Sequence, residues 1–339
     1  MLIEENKSLF GLNTFGLQAN AKYFTEIYSP AHLLDLLSYK ITKQENIFPL
    51  GGGSNILLTK DVDALVVYNQ IKGINLSKED DDFFYVEAGA GENWHSFVQY
   101  CLQNDWFGAE NLSLIPGSVG AAPMQNIGAY GIELKEVFDY LETVNIKTGE
   151  VLKFTKNECE FGYRTSIFKT SLKGQTIITK VGFKFSKNYL LNTSYGAIEQ
   201  ELQNLKVDSP TPLDVSQAVI NIRSSKLPDP KKIGNSGSFF KNPVVSNEVY
   251  ENILKEYPSA PHYRVSENEV KVPAGWLIET AGWKGKTFDN RYGVHKNQAL
   301  VLVNYKGATG AEIFDLSEKI LQDIKSKFGI ELEREVNII

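Results

Sequence analysis

Three segments crowd polar side chains where glycine or proline makes the backbone turn, and a fourth alternates carboxylates with apolar residues at the end of the chain. Cys159-Glu160-Phe161-Gly162-Tyr163-Arg164-Thr165-Ser166 sets an arginine between an aromatic ring and two hydroxyls. By itself, Arg164 reads more readily as a surface charge than as a catalyst. Arg223, Lys226 and Asp229 lie next to the rigid Pro228 and Pro230. Gly234-Asn235-Ser236-Gly237-Ser238-Phe239-Phe240-Lys241-Asn242-Pro243 interleaves glycines with hydroxyls and anchors the turn with two phenylalanines. A serine beside glycine commonly does no more than cap a turn, so Ser238 also has a plain reading. At the end of the chain, Ile330, Leu332, Val336 and Ile338 alternate with Glu331, Glu333 and Glu335. Spacing alone makes those carboxylates a solvated face, and nothing local singles out Glu335.

Several chemistries are absent from the pattern. There is no G-x-S-x-G elbow and no H-E-x-x-H pair, and the four histidines lack metal-ligand spacing, so no metal is expected. Cys101 and Cys159 are the only cysteines, which removes a disulfide framework or cysteine zinc site and suits a reducing compartment. The amino-terminal residues carry no signal-peptide pattern, and no apolar run approaches a bilayer span, so a cytoplasmic protein without membrane contact is expected. A net charge of −6 argues against general nucleic-acid binding but leaves room for a basic pocket around an acidic small molecule.

Two glycine loops suit such a ligand. Ile115 to Gly131 has neither helical nor strand period. Its glycines at 117, 120, 128 and 131 permit close backbone approach, while Pro116 and Pro123 stiffen the path. Such a loop lays N–H groups against something flat or anionic, although a plain connector explains one isolated loop equally well. Gly51-Gly52-Gly53-Ser54-Asn55 is the second loop.

The elements that must position these residues follow from local signals. A chain of 339 residues implies two or three domains. Ser29-Pro30 opens a helix with Leu33, Leu34, Leu36 and Leu37 as its buried stripe, and strands at 47–50 and 64–68 complete a βαβ-like unit ending near residue 70. A strand at 83–88 runs into Gly89-Ala90-Gly91 and a helix capped by Asn93. Trp94 stands where a dinucleotide fingerprint needs its third glycine, so that fingerprint is rejected. A hairpin spans 140–155, a strand 175–186, and Thr211-Pro212 starts a helix with Val215, Ala218, Val219 and Ile222 on one face, where a new domain is expected to begin. Strand 299–305 leads to the capping box Thr309–Glu312, a helix ended by Gly329, and a last strand from Ile330 to Ile339.

Asn13-Thr14-Phe15, Gly51 to Asn55, Ile115 to Gly120, Gln125 to Gly131, Tyr163-Arg164, Gly237 to Pro243 and Ala274-Gly275-Trp276-Leu277-Ile278 occur in an order that resembles the UDP-N-acetylenolpyruvoylglucosamine reductase family, across almost the whole chain. The resemblance implies an α+β protein: a two-subdomain FAD-binding fold of the PCMH/VAO type plus a C-terminal α+β substrate-binding domain. Boundaries are expected at 1–70 (with the terminal strand 329–339), 71–212 and 213–328. Thr193-Ser194-Tyr195-Gly196 matches the subtype with a substrate-covering tyrosine loop.

That family reduces UDP-N-acetylglucosamine enolpyruvate to UDP-N-acetylmuramate with NADPH and FAD, in peptidoglycan precursor synthesis. The resemblance assigns Arg164 and Glu335 to polarising the substrate carboxylate and Ser238 to proton donation, preferring it over Ser236. It places Gly51, Gly52, Gly53, Ser54, Asn55, Pro116, Gly117, Ser118, Gly120 and Ala121 at the cofactor pyrophosphate, with Ile127 and Gly128 near the ring and Arg223 as a further cofactor contact. It gives Tyr130, Tyr195, Lys226, Asn242, Tyr263, Lys271 and Gln298 to the sugar nucleotide. A monomer is expected. The family pattern has arginine where this chain has Asn337. The alternative is an FAD oxidase of the same cofactor fold acting on another sugar or alcohol. Covalent members of that group attach flavin through histidine or cysteine, and neither glycine loop contains one.

Overall fold

The computed structural model describes residues 2–339. The chain divides into two compact units. The first comprises residues up to Lys7 with Ala21–Gly53 and Val62–Ser225; the second comprises Ser8–Asn20, Ser54–Asp61 and Lys226–Ile339.

The first unit holds two sheets. In one, strands Asn20–Ile27, Val62–Asn69 and Ile47–Leu50 run parallel, with Glu4–Ser8 at the edge. The crossover helix Pro30–Ser38 starts as expected: Ser29 accepts from the His32 amide, and proline occupies the first turn. Leu33 and Leu36 are buried with Ile27, Leu65 and Val67, but Leu34 is largely exposed. Four leucines in five positions cannot all lie on one face of a short helix.

The other sheet is antiparallel, ordered Val151–Thr155, Phe138–Asn145, Thr176–Ser186, Phe83–Gly89, Ile74–Glu79. Helix Trp94–Gln103 packs its Phe97, Val98 and Cys101 with Val181, Phe183 and Phe185 of that sheet. Asn93 caps the helix by accepting from the Ser96 amide. Trp94 is buried, and its indole N–H donates to the Leu112 carbonyl at 2.9 Å, so the ring fills the space a fingerprint glycine would leave open.

Helix Pro212–Lys226 buries Val215, Ala218, Val219 and Ile222 against Ile198 and Leu202 of helix Gly196–Asn204. Ser216 is further held by Gln99 and Ser113. These contacts place the helix in the first unit, up to Ser225.

The second unit joins Gly234–Ser238, Val301–Asn304, Tyr292–Val294 and Thr287–Phe288 in an antiparallel sheet. Helix Gly310–Phe328 lays Ile313, Leu316, Ile320, Ile324 and Phe328 into its core, and Gly329 ends it in the left-handed region at φ 68°. The terminal segment is regular only at Asn337–Ile338, which pairs in parallel with Ile56–Leu57. Both partners lie in the second unit. Ile330, Leu332 and Val336 are nonetheless buried as their alternation predicts.

The capping box is complete: Thr309 Oγ1 accepts from the Glu312 amide at 3.2 Å, and Glu312 Oε2 accepts from the Thr309 amide at 2.8 Å. The Arg291 guanidinium, with the Thr309 amide, holds the Glu312 carboxyl at about 2. A depressed carboxyl stabilises the fold fully above its unfolded value of about 4.3 and loses that contribution as pH falls toward the folded value. Thr309→Ala should cost about 1 kcal/mol, read as a lower midpoint of thermal unfolding at neutral pH. An unchanged midpoint would show that the cap contributes nothing.

Candidate active site

The glycine loops of the first unit touch directly. A Cβ on Gly52 would lie 2.8 Å from the Gly117 Cα, and one on Gly51 would lie 2.5 Å from the Ser118 hydroxyl oxygen. Segment 116–120 is pinned from behind, where Trp94 donates to the Gly117 carbonyl, Val119 to the Glu92 carbonyl and Gly120 to the Ala90 carbonyl. Gly53 and Gly117 have φ of 59° and 111°, conformations that favour glycine. Among the described residues, the amides of Gly52 and Ser118 donate to no protein group, which leaves them for an anion. Ala121 belongs to the short 3-10 turn Val119–Ala121 that follows. Gly52→Ala should separate the two loops and weaken flavin retention by roughly tenfold, measured by flavin released on dialysis. Wild-type retention would show that these loops do not bear on the cofactor.

Segment 122–133, aperiodic in sequence, has an order of its own. Asn126 turns left-handed at φ 43°, and its side chain bonds Glu133, the Gly162 carbonyl and the Lys135 amide. Gly128–Ala129 then pairs with Ile132–Glu133 around Tyr130 and Gly131, both with positive φ, as a tight hairpin turn of the primed type requires. Ile127 is buried at its base.

Arg164 sits on the adjoining turn, where Gly162 and Thr165 exchange backbone bonds and Ser166 Oγ donates to the Met124 carbonyl. Its φ of 54° is unusual for a residue with a Cβ. Its guanidinium donates to the Gly128 carbonyl at 2.6 Å and lies 5.5 Å from the Tyr163 ring. Burial lowers the pKa of Arg223; the Arg164 charge acts in the same direction and Tyr130 opposes it. Among the described residues no carboxylate pairs with Arg223, whose Nε donates to the Leu114 carbonyl at 3.2 Å. Two neighbouring guanidiniums, one without a counter-ion, suit an acidic ligand. The first unit thus gathers Gly51, Gly52, Gly53, Pro116 to Ala121, Ile127, Gly128, Tyr130, Arg164, Tyr195 and Arg223. Tyr195 meets Tyr130 edge-on, with ring centroids 5.4 Å apart.

The second unit contains Ser238 and Glu335. Strand Gly234–Ser238 bulges between Asn235 and Ser238, with Gly237 at φ 68°. Ser236 is buried and its hydroxyl donates to the Ile56 carbonyl at 3.2 Å; the half-buried Ser238 hydroxyl bonds to no other described residue. Two backbone bonds, Lys241 N–H to the Glu333 carbonyl and Glu335 N–H to the Phe239 carbonyl, bring Glu335 beside the segment carrying Ser238. Asn55 donates to the Glu335 carbonyl, and its own carbonyl accepts from both amides of Asn337. Asn337, where the family pattern has arginine, therefore fastens the strand that presents Glu335.

Asn242 Oδ1 accepts from the Ala274 amide at the start of helix Ala274–Thr280, so half of its carboxamide is already structural. Gln298 bonds the Leu300 amide and lies against Gly275. Tyr263 and Lys271 are cross-strand partners, and Lys226 is exposed at the end of helix Pro212–Lys226. Asn111 went unnoticed in sequence: it is fully buried and donates to the carbonyls of Tyr130 and Asn192, contacts without a local signature. Among the described residues no cluster suits a metal ion.

Apposed glycine loops beside two neighbouring guanidiniums suit a protein that takes an anionic cofactor or substrate. Residues 21–155 match the family model "FAD binding domain", and residues 229–339 match "UDP-N-acetylenolpyruvoylglucosamine reductase, C-terminal domain". The chain belongs to the UDP-N-acetylenolpyruvoylglucosamine reductase family. It is 55% identical to the enzyme of that name from Flavobacterium johnsoniae over the full length of both chains, and 49% identical to that from Chromobacterium violaceum over 96% of each. The crystal structure of UDP-N-acetylenolpyruvylglucosamine reductase from Thermus caldophilus shares the fold at a TM-score of 0.68 and 20% identity, covering 100% of this chain and 99% of that one. The amides of Gly52 and Ser118 and the absence of a Cβ at Gly51, Gly52 and Gly117 suit the pyrophosphate of FAD.

Proposed function

We infer that the protein reduces UDP-N-acetylglucosamine enolpyruvate to UDP-N-acetylmuramate with NADPH, serving peptidoglycan precursor synthesis. Its full-length relatives are reductases, which favours this activity over the oxidase alternative. FAD held by the glycine loops would supply hydride transfer from NADPH to the terminal vinyl carbon of the substrate.

The chain's own residues manage the charge that this leaves. Arg164 and Glu335 polarise the carboxylate, and Ser238 delivers a proton to the adjacent carbon before regaining one from solvent. Serine is a weak acid in water, but a positioned hydroxyl serves a strongly basic carbon. One observation carries this assignment: Ser236 spends its hydroxyl on the Ile56 carbonyl, whereas Ser238 keeps its own.

Gly51 to Asn55, Pro116 to Ala121, Ile127, Gly128 and Arg223 hold the cofactor. Tyr130, Tyr195, Lys226, Asn242, Tyr263, Lys271 and Gln298 hold the sugar nucleotide, with Tyr195 covering it as in the tyrosine-loop subtype. The three functional domains follow the boundaries 1–70 with 329–339, 71–212 and 213–328. The protein acts as a cytoplasmic monomer; no helix among the described residues is long and apolar enough to cross a membrane.

Purified protein should show a flavin spectrum, be bleached by NADPH, and recover colour when the enolpyruvyl sugar nucleotide is added. Protein that cannot be reconstituted with FAD, or reduced protein that the sugar nucleotide does not reoxidise, overturns the reading.

A further inference from the structure

We propose that Asn111 is a positioning residue for Tyr130 and Tyr195, because one carboxamide ties together the two main-chain segments that present them. The inference deepens the proposed function and rests on the assignment of both tyrosines to the sugar nucleotide.

Asn111 lies in the 3-10 turn Glu110–Leu112 and has no exposed surface. Its Nδ2 donates to the Tyr130 carbonyl at 2.9 Å and to the Asn192 carbonyl at 2.9 Å, so both N–H groups are used. Asn192 in turn donates to the Gly131 carbonyl at 3.4 Å. Tyr195 follows three residues after Asn192, its ring set at 83° to that of Tyr130. Asn111 Oδ1 is buried with no protein partner. A flipped amide would aim that oxygen at two carbonyls, so the double donor is what the site uses. Glu110, next in the turn and also buried, accepts from the Tyr189 hydroxyl and from the Gly108 amide. The turn therefore holds segment 189–192 at two points and the Tyr130 turn at one. A segment ordered before the ligand arrives loses less entropy on binding, and that benefit should appear in KM.

The test is Asn111→Asp, which keeps side-chain volume but replaces the double donor with an oxygen. KM for the enolpyruvyl sugar nucleotide should rise about tenfold. Flavin absorption and the rate of flavin reduction by NADPH should stay within about twofold of wild type. In a Tyr195→Ala background the same substitution should raise KM much less, because its effect passes through Tyr195. An unchanged KM, or fold-changes that multiply fully in the double variant, overturns the proposal. If Asn111→Asp is recovered without flavin, Asn111→Ala removes both donors without adding charge and is judged by the same two criteria. Wild-type protein that does not turn over the sugar nucleotide refutes the proposed function and is distinct from either result.

Discussion

Ser238→Ala should slow reoxidation of the reduced enzyme by the enolpyruvyl sugar nucleotide by about 10²–10⁴-fold, the range a positioned proton donor supplies. Flavin reduction by NADPH should keep its rate, since that half-reaction needs no proton at the substrate carbon. The substitution removes one oxygen from a half-buried position where the hydroxyl bonds no other described residue, so little stability is at stake. Stopped-flow traces of the two half-reactions read the difference directly. Equal loss in both would make Ser238 a structural residue. Ser236→Ala is the control: it forfeits the bond to Ile56 and should affect stability rather than one half-reaction.

Arg164→Met should lower kcat by about 10²–10³, the usual consequence of removing one donor from a site of developing negative charge. The loss should fall on the enolpyruvyl half-reaction. Arg164→Lys should recover only part of it, because a lysine carries the charge without the planar fork that now grips the Gly128 carbonyl at 2.6 Å. Full activity in Arg164→Met would assign the carboxylate to other residues. The left-handed backbone at Arg164 closes the turn between Gly162 and Thr165 and aims the guanidinium at the Gly128 carbonyl.

Short-ranged signals in the sequence carried much of the local structure. Ser29, Asn93 and Thr309 cap the helices they were expected to cap, because a cap bonds an amide two or three residues away. The glycines of 51–53 and 115–131 announced a close approach, and Gly52 against Gly117 is one. Elsewhere the deciding contact lies far along the chain. Helix Pro212–Lys226 joined the first unit because its apolar face met helix Gly196–Asn204. The last segment joined the second unit because Asn337–Ile338 pairs with Ile56–Leu57.

By itself, the sequence determined the helix ends, the parallel opening unit, the glycine loops and, through its ordered motifs, the family. Those depend on the reach of a turn or on residue identity. Only the tertiary structure decided which hydroxyl stays free, since Ser236 is occupied by a carbonyl 180 residues distant. It also decided that Asn337 steadies the strand of Glu335 through Asn55, and that buried Asn111 joins two tyrosine-bearing segments. A hydrogen bond between distant residues leaves no mark on local spacing, because its geometry exists only once the chain has folded.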